Sequence, residues 1–503
     1  MANVAPRRVV IIPPVQIGSE RGQLTTTIMP FAAPFPSTIT DIAGHAIPEL
    51  ARRFGTPVYV YDAAKIAERI TDLAAFDVVR YAQKACSNLA ILDLVRRHGA
   101  LVDCVSAGEV HRAITAGFQP GQKMHPPQIV YTADIFDREA LDLVLQHDVH
   151  VNCGSPDMID QYGEGRGRGR PGSLGPPGSL GPPGSLGRPG SLGPPGSLGP
   201  PASITLRINP GFGHGHSQKV NTGGPQSKHG IWHEQLEDCI ERAEKHRLTI
   251  SGLHMHIGSG TDLAHLSQVC AAMEKAALAV GSSIVSISAG GGLPVPYREG
   301  QEFVDVGAYF EIWDKTRHRL ASEFGHEISL EIEPGRYLVA ESGYLISEIR
   351  AVKTAGENTF YLVDAGFNNL ARPILYGAYH PMAISSAANE PGRASEPGRP
   401  REPGRPRPRP MRDVVVGGPL CESGDIFTQE EGGFVSRRSL PDAAVGDYLV
   451  IGRAGAYGYV MSSNYNSKPL VAEVLIESGT PHLVRRRQTL DDLVRDEAIP
   501  ASS

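Results

Sequence analysis

Short hydrophobic runs rich in β-branched residues alternate with amphipathic segments between Gly55 and Tyr337. Eight runs have the length and composition of buried strands, and several intervening segments carry apolar residues at a spacing of three to four, as helices do. The predicted strands span residues 78–82, 101–105, 129–132, 149–152, 204–208, 250–256, 284–288 and 328–332. The predicted helices span residues 90–98, 107–116, 138–146, 233–246 and 263–280. Eight such units favour an α/β fold in the form of a (β/α)8 barrel.

The pattern changes after the barrel segment, where strand-like runs follow one another with turn residues between them. These runs span residues 344–353, 360–363, 414–416, 448–451 and 472–476, and no helical pattern separates them until the last residues. We therefore predict a barrel domain over residues 57–338 and a C-terminal β domain over residues 339–503. Residues 1–36 are predicted to be a disordered extension, and residues 37–56 to pack with the β domain.

Two low-complexity inserts interrupt these domains. In the first, at residues 163–201, a glycine occupies every third position from Gly169 to Gly199. This spacing is compatible with a collagen triple helix, but the run is short and internal, so a disordered surface loop is favoured. It lies after the helical segment that follows the fourth strand and before the fifth strand, on the barrel face opposite the one that carries active sites. The second insert, at residues 390–410, repeats Glu-Pro-Gly-Arg and is also predicted to be disordered.

The composition and charge of the chain argue against a membrane protein and against a nucleic-acid-binding protein. The chain has 503 residues, with 48 Lys and Arg against 54 Asp and Glu and a net charge of −6. No apolar run reaches the roughly 18 residues of a transmembrane helix, so no membrane partner is predicted. The six cysteines form no CxxC pair, which favours a reducing, cytoplasmic compartment. No nucleic-acid partner is predicted either, because the arginines of residues 393–412 are typical of a solvated Pro-rich loop.

Polar residues cluster at the predicted C-terminal ends of the barrel strands, where barrel enzymes carry their chemistry. Lys84 follows the first strand, three glycines at 290–292 follow the seventh, and Glu333 and Gly335 follow the eighth. A lysine in a barrel suits Schiff-base formation, and glycine-rich loops after the last two strands suit a phosphate group. These residues predict a phosphorylated cofactor, in which Glu333 would face a pyridine nitrogen and keep it protonated.

Histidines accompany this cluster and have more than one interpretation. His256, after the sixth strand, would lie against the face of the ring, but a buried structural histidine is an equal alternative when it is taken alone. Likewise, Glu333 alone is equally compatible with a capping role. The pairs His214–His216 and His254–His256 resemble metal ligands on one strand face. No carboxylate lies nearby at ligand spacing, so no metal is predicted.

Five ordered motifs resemble those of the fold-type III pyridoxal-phosphate-dependent decarboxylases, and among these the diaminopimelate decarboxylase family in its enterobacterial-like form. The motifs lie at residues 81–88, 254–260, 333–336, 421–425 and 455–457. The resemblance covers about residues 37–493, broken only by the two inserts. It implies that pyridoxal 5'-phosphate is the cofactor and that the reaction converts meso-2,6-diaminopimelate to L-lysine and CO2, the last step of lysine biosynthesis.

The resemblance also implies roles for the matching residues. Lys84 would bind the cofactor covalently and act in catalysis, with Cys421 as the proton donor. The residues implied in cofactor binding are Lys84, His256, Ser259, Gly292, Glu333, Gly335, Arg336 and Tyr457. The residues implied in substrate binding are Arg336, Arg372, Tyr376, Glu422 and Tyr457. In this family the cysteine-glutamate pair reaches the site of the other subunit, so the resemblance implies a homodimer with shared active sites.

The charges of three of these residues bear on the choice of substrate. Arg336 and Arg372 suit a carboxylate, and Glu422 suits an ammonium group, so a substrate with a second amino-acid head is favoured. Diaminopimelate has this second head, whereas the distal ends of ornithine and arginine carry only positive charge. Decarboxylation of ornithine or arginine is the alternative activity, and an inactive scaffold assembled through the repeats is the alternative from a different class.

Overall fold

The computed structural model describes residues 33–167, 202–213, 223–256, 263–387 and 409–500. Most of both low-complexity inserts and residues 1–32 of the predicted extension lie outside the described residues. Ser259, His214 and His216 also lie outside them, so the predictions for these three residues have no structural counterpart here.

An N-terminal segment precedes the barrel and packs on the C-terminal domain. It contains β1 (Asp41–Ile42), β2 (His45–Ala46), α1 (Ile47–Phe54), β3 (Val58–Asp62) and α2 (Ala63–Thr71). Ile47 and Leu50 of α1 are buried in one cluster with Val450. The Ile39 N–H donates a hydrogen bond to the Ile384 carbonyl at 3.2 Å, which attaches the start of this segment to the same domain.

Eight parallel strands form the predicted barrel. The strands of this region are β4 (Val78–Ala82), β5 (Leu101–Cys104), β6 (Ile129–Ala133), β7 (His150–Cys153), β8 (Ala202–Asn209), β9 (Ile231–Trp232), β10 (Leu248–His254), β11 (Ser286–Ser288) and β12 (Ser329–Ile332). They pair in the order β4-β5-β6-β7-β8-β10-β11-β12, and β12 pairs with β4, so the barrel is closed and the predicted fold is confirmed. The short β9 extends β8. Residues are buried along most of these strands because helices cover the outside and side chains fill the inside.

Amphipathic helices surround the barrel. They are α3 (Leu89–Arg97), α4 (Ala107–Thr115), α5 (Arg138–His147), α6 (Pro156–Gly167), α7 (Leu236–Lys245), α8 (Leu263–Val280), α9 (Val306–Phe324) and the short α10 (Arg336–Val339). The structure differs from the predicted insert boundary at residue 163, since α6 continues to Gly167. Gly163 is buried there against the ring of His246, and a side chain at this position would collide with that ring. The chain leaves α6 and re-enters at the N-terminal end of β8, opposite the carboxyl ends of the strands.

The C-terminal domain is built on a second, mixed sheet. Its elements are β13 (Gly343–Ala355), β14 (Asn358–Val363), α11 (Arg372–Tyr376), β15 (Met382–Ser385), β16 (Met411–Gly417), β17 (Arg438–Pro441), β18 (Tyr448–Ile451), β19 (Ala472–Glu477), β20 (Thr480–Arg485) and α12 (Leu490–Val494). The main path of the sheet is β17-β16-β14-β13-β3-β19-β20, and β18 pairs with both β13 and β15. The β-rich C-terminal domain is therefore as predicted.

Two details of the domain organisation differ from the prediction. The barrel domain does not begin at residue 57, because β3 lies in the middle of the C-terminal sheet, antiparallel to β13 and parallel to β19. Its Val-Tyr-Val-Tyr run is buried on both faces, which suits a central strand in either sheet, so the sequence pattern could not assign it. The predicted absence of helices between these strands is also wrong, since α11 lies there, with Pro373 in its first turn and Gly377, whose φ is +58°, directly after its last residue.

A buried carboxylate joins the two domains beside the loop that follows β4. Glu473 of β19 accepts hydrogen bonds from Tyr61 Oη at 2.8 Å and from Asn88 Nδ2 at 2.9 Å, and it also pairs with Arg485. Asn88 caps α3, directly after the loop that carries Lys84. These contacts hold the Lys84 loop against the C-terminal sheet.

We expect Glu473→Ala to lower the free energy of unfolding by about 2–3 kcal/mol, because three donors lose a buried acceptor. The measurement is the shift of the urea midpoint at fixed protein and cofactor concentration. The control is Glu477→Ala on the same strand, which removes a partly exposed pair with Arg97 and is expected to cost less than about 1 kcal/mol. Equal shifts for the two variants would contradict the role given to Glu473.

Candidate active site

A cavity of about 270 Å³ lies at the carboxyl ends of the barrel strands, and both domains contribute to its walls. It is lined by nine of the twelve predicted site residues, namely Lys84, His256, Gly292, Glu333, Gly335, Arg336, Arg372, Tyr376 and Tyr457. Of the other three, Ser259 lies outside the described residues, and Cys421 and Glu422 do not line the cavity. The structure thus brings together the residues that the sequence places at separate strand ends.

Lys84 lies in a short 3-10 turn directly after β4, at the wall of the cavity. The preceding residue, Gln83, is buried and donates to Cys104 Sγ at 2.9 Å and to the Glu109 carbonyl at 3.0 Å. The following residue, Ala85, accepts a hydrogen bond from the Tyr457 N–H at 2.8 Å. Both neighbours of Lys84 are therefore fixed, one by the barrel and one by the C-terminal domain.

Glu333 is a buried carboxylate after β12, and each of its two oxygens has a side-chain hydrogen-bond partner. His254 Nε2 lies 2.7 Å from Oε2, and Ser288 Oγ donates to Oε1 at 3.2 Å. Burial alone would raise the pKa of Glu333, but His254 and the charges of Arg80 and Arg207 hold that pKa well below its usual range. These interactions favour the ionised form of Glu333, which lines the cavity.

His254 and Asp103 are site residues that the sequence analysis did not assign. The sequence pattern indicates His254 only as half of a metal-binding pair. In the structure His254 is instead hydrogen-bonded to Glu333, which follows a strand two positions away in the barrel sheet. The alternation His-x-His was a sequence pattern that could have indicated this role, since residues two apart share a strand face. Asp103 of β5 is buried and lines the cavity, and no sequence motif distinguished it.

Asp103 is expected to make stability depend on pH. Burial, and then the charge of Glu333, raises the pKa of Asp103. The folded protein therefore keeps a proton that the unfolded chain loses near the ordinary Asp pKa of about 3.9, and stability falls as pH rises above that value. We expect Asp103→Asn to remove this fall, which amounts to a few kcal/mol between about pH 5 and about pH 8, at about 1.4 kcal/mol per pH unit. Urea midpoints at the two pH values measure it, and parallel pH slopes for variant and wild type would contradict it.

Glycines form a part of the wall where no side chain fits. A Cβ at Gly290 would lie 2.6 Å from the Met255 carbonyl oxygen, and one at Gly291 would lie 2.5 Å from the Glu333 carbonyl oxygen. Gly290 and Gly292 also have positive φ, of +63° and +101°. Such a glycine-lined backbone suits a phosphate group. An amine, an ionised carboxylate and a glycine cradle in one cavity fit the aldehyde, ring nitrogen and phosphate of pyridoxal phosphate.

Two arginines close the other side of the cavity. Arg336 Nη1 donates to Tyr297 Oη at 3.1 Å, and Arg372 Nη1 donates to His380 Nε2 at 2.9 Å. Within the described ranges, neither guanidinium has a carboxylate oxygen within 4.0 Å. Two buried cations without a carboxylate partner are suited to an anionic ligand.

Cys421 and Glu422 are exposed, in a turn of the C-terminal domain. The Cys421 N–H donates to Asn466 Oδ1 at 2.8 Å, and the Asp425 carboxylate accepts from the Leu420 N–H at 2.8 Å. The turn is thus fixed in place, and neither residue of its Cys-Glu pair lines this chain's own cavity.

The described part of the chain contains no group of three or more His, Cys, Asp or Glu side chains placed to hold a metal ion. None of its helices combines the length and the hydropathy needed to cross a membrane.

Comparison with known proteins agrees with this arrangement. Residues 63–174 and 186–340 match the family described as pyridoxal-dependent decarboxylase, pyridoxal binding domain. The chain is 47% identical over 463 residues to diaminopimelate decarboxylase of Escherichia coli (strain K12), covering 92% of this chain and 99% of that protein. It is 46% identical over 477 residues to that of Streptomyces coelicolor, covering 95% of this chain and 97% of that protein.

Solved structures show the same fold. A crystal structure of diaminopimelate decarboxylase has 46% sequence identity and a TM-score of 0.78, covering 92% of this chain and 99% of that chain. The Helicobacter pylori diaminopimelate decarboxylase complexed with L-lysine has 28% identity and a TM-score of 0.71, covering 89% and 98%. This chain therefore belongs to the diaminopimelate decarboxylase family of pyridoxal-dependent decarboxylases.

Proposed function

We propose that this chain uses pyridoxal phosphate to decarboxylate meso-2,6-diaminopimelate to L-lysine and CO2, with Lys84 as the cofactor-binding residue. The observation that carries the proposal is that one cavity combines Lys84, Glu333 and two arginines that have no carboxylate partner in the described chain. Membership of the family supports the reaction, and the reaction is the last step of lysine biosynthesis.

The chain's residues divide the work around the cofactor. Pyridoxal phosphate, when bound, supplies an electron sink for the electron pair that stays behind when CO2 leaves, provided that its ring nitrogen is protonated. Glu333 holds that proton at the ring nitrogen, because its carboxylate is ionised and oriented by His254 and Ser288. Lys84 Nζ would hold the cofactor covalently. His256 would bind its ring, and Gly292 and Gly335 would bind its phosphate group, since all three residues line the same cavity.

The remaining residues hold the substrate. Arg336 and Arg372 bind the carboxylate at the distal end, which the reaction retains, and Tyr457 and Tyr376 lie beside them. The partner subunit's Glu422 binds the distal ammonium group, and the partner subunit's Cys421 returns a proton from Sγ to the carbon that has lost CO2. This set of charges matches a distal amino-acid head rather than a simple amine.

Substrate preference tests the proposal. We expect the purified enzyme to have a kcat/KM for meso-diaminopimelate on the order of 10³-fold above those for L-ornithine and L-arginine, because these leave two buried arginines unpaired. CO2 release from each substrate, measured with pyridoxal phosphate present, gives the three values. Ornithine or arginine within about tenfold of diaminopimelate would instead favour the alternative decarboxylase activity.

The homodimer is part of the proposal. Cys421 and Glu422 are exposed on a fixed turn, and exposed apolar side chains accompany it. Tyr465 is 41% exposed and precedes Asn466, whose side chain binds the Cys421 N–H. Leu375 of α11 is 46% exposed. A second copy that covers this face would deliver the pair to its partner's cavity. With six free cysteines, the assembled enzyme suits a reducing compartment, and we propose the cytoplasm.

Mixing two inactive variants tests whether sites are shared. Lys84→Ala and Glu422→Ala are each expected to be nearly inactive alone. Heterodimers formed by denaturing and refolding them together have one intact site, so an equal mixture should recover about a quarter of wild-type activity. The control mixes Lys84→Ala with Glu333→Gln, both within one chain's cavity, and their heterodimers contain one defect per site. Recovery in the control, or none in the test pair, would contradict the shared site.

A further inference from the structure

Two aromatic residues lie directly behind the arginines and outside the cavity wall. Tyr297 follows the glycine cluster after β11, and His380 follows α11 in the C-terminal domain. Neither lines the cavity, whereas Arg336 and Arg372 both do. The two rings meet edge to face, with centroids 5.3 Å apart and an interplanar angle of 82°. They therefore form one packed layer that spans both domains.

Tyr297 contacts both guanidinium groups. Its hydroxyl accepts the hydrogen bond from Arg336 Nη1 at 3.1 Å, and its ring face lies 4.8 Å from Arg372 Cζ. Burial would raise the pKa of this phenol, but the charges of Arg372 and Arg336 lower it. A cation over an aromatic face and a charged hydrogen bond are both attractive, so one side chain restrains two cations that repel each other.

His380 fixes Arg372 from the other side. It is fully buried, with Nε2 2.9 Å from Arg372 Nη1 and Nδ1 3.2 Å from the Gly452 carbonyl oxygen. A guanidinium only donates and a carbonyl only accepts, so the imidazole is neutral and carries its proton on Nδ1. Burial and the charge of Arg372 lower the pKa of His380, which agrees with the neutral form.

We propose that Tyr297 and His380 are positioning residues that hold Arg336 and Arg372 as a single binding element for the retained carboxylate. Through this element they determine the preference for substrates and products that carry this carboxylate. The inference rests on the proposed function. It follows from the geometry because no carboxylate of the described chain lies within 4.0 Å of either guanidinium, so neutral groups alone keep the two cations together.

The test compares ligands with and without the retained carboxylate. L-Lysine carries it, and 1,5-diaminopentane is the same molecule without it. In Tyr297→Phe, which keeps the ring and loses the hydroxyl, we expect KM for meso-diaminopimelate and Ki for L-lysine to rise about tenfold. We expect kcat and the Ki of 1,5-diaminopentane to change less than about threefold. His380→Leu should raise the same two constants by a similar factor. His380→Gln restores a hydrogen-bond acceptor for Arg372, so its KM for meso-diaminopimelate and Ki for L-lysine should lie close to the wild-type values.

A matched control lies beside the cluster. Tyr379 is stacked between Arg298 and Arg438 in the same way, at 4.4 and 3.5 Å, but none of these three lines the cavity. Tyr379→Phe should therefore leave KM and kcat for meso-diaminopimelate unchanged, together with the Ki values of L-lysine and 1,5-diaminopentane. The inference would be overturned if Tyr297→Phe and His380→Leu left the Ki of L-lysine unchanged, or raised the Ki of L-lysine and that of 1,5-diaminopentane equally. With an active wild-type enzyme, the proposed function would still stand. An inactive wild type would instead overturn the proposed function.

Discussion

Lys84→Ala is expected to lower kcat for meso-diaminopimelate on the order of 10⁴-fold, the largest effect of any single substitution considered. The variant loses the only amine that lines the described cavity, so the covalent bond to the cofactor cannot form. The fold should persist, because the neighbours of Lys84 make the loop's contacts through Gln83 Nε2 and the Ala85 carbonyl. The visible absorbance of the lysine-bound cofactor should vanish together with activity.

The matched control for this substitution is Lys65→Ala. Lys65 is a partly exposed lysine of α2 that pairs with Glu68 at 2.6 Å and does not line the active-site cavity. It should keep wild-type turnover and wild-type absorbance. Residual activity of Lys84→Ala above about 1% of wild type would contradict the role of Lys84, given the 10²–10⁴-fold contributions typical of catalytic groups.

Glu333→Gln is expected to lower kcat by about 10²–10³-fold while the cofactor still binds. The amide keeps the size of the side chain but removes the negative charge that holds a proton at the ring nitrogen. Because the pKa of Glu333 lies below its usual range, the wild-type carboxylate should stay ionised throughout the working pH range, and its protonation should not limit the rate near neutral pH. The measurements are kcat and the absorbance of bound cofactor across pH.

Glu331→Gln is the control for the loss of a negative charge close to Glu333 in the sequence. Glu331 lies two residues earlier and bonds Arg80 at 3.0 Å, and it does not line the active-site cavity. Its loss should affect stability more than kcat. If Glu333→Gln retained kcat within about tenfold of wild type, electrostatic control of the ring nitrogen by Glu333 would be ruled out.

The barrel and most of its strand ends could be predicted from the sequence because each strand is a local hydrophobic run and each motif follows one directly. The position of β3 could not be predicted from the sequence, since a short strand that is buried on both faces fits either sheet. The partnership of His254 with Glu333 depends on strand order in the closed barrel, which local pattern does not reveal. The contacts of Tyr297 and His380 with the arginines join segments of both domains and carry no motif.

Cys421 and Glu422 show a different limit. Their motif is as recognisable as that of Lys84, yet the fold of one chain leaves them exposed and outside its cavity. Their proposed chemistry requires the arrangement of two copies, which follows from neither the hydrophobic pattern nor the fold of a single subunit. Mixing inactive variants addresses this point directly.

The proposed reaction converts meso-diaminopimelate to lysine with pyridoxal phosphate in this cavity. It is tested by measuring the formation of L-lysine and CO2 from meso-diaminopimelate by the purified wild-type protein, first stripped of cofactor and then reconstituted. We expect equal amounts of both products, formed only after pyridoxal phosphate is restored. A folded protein that binds the cofactor but releases neither product would contradict it.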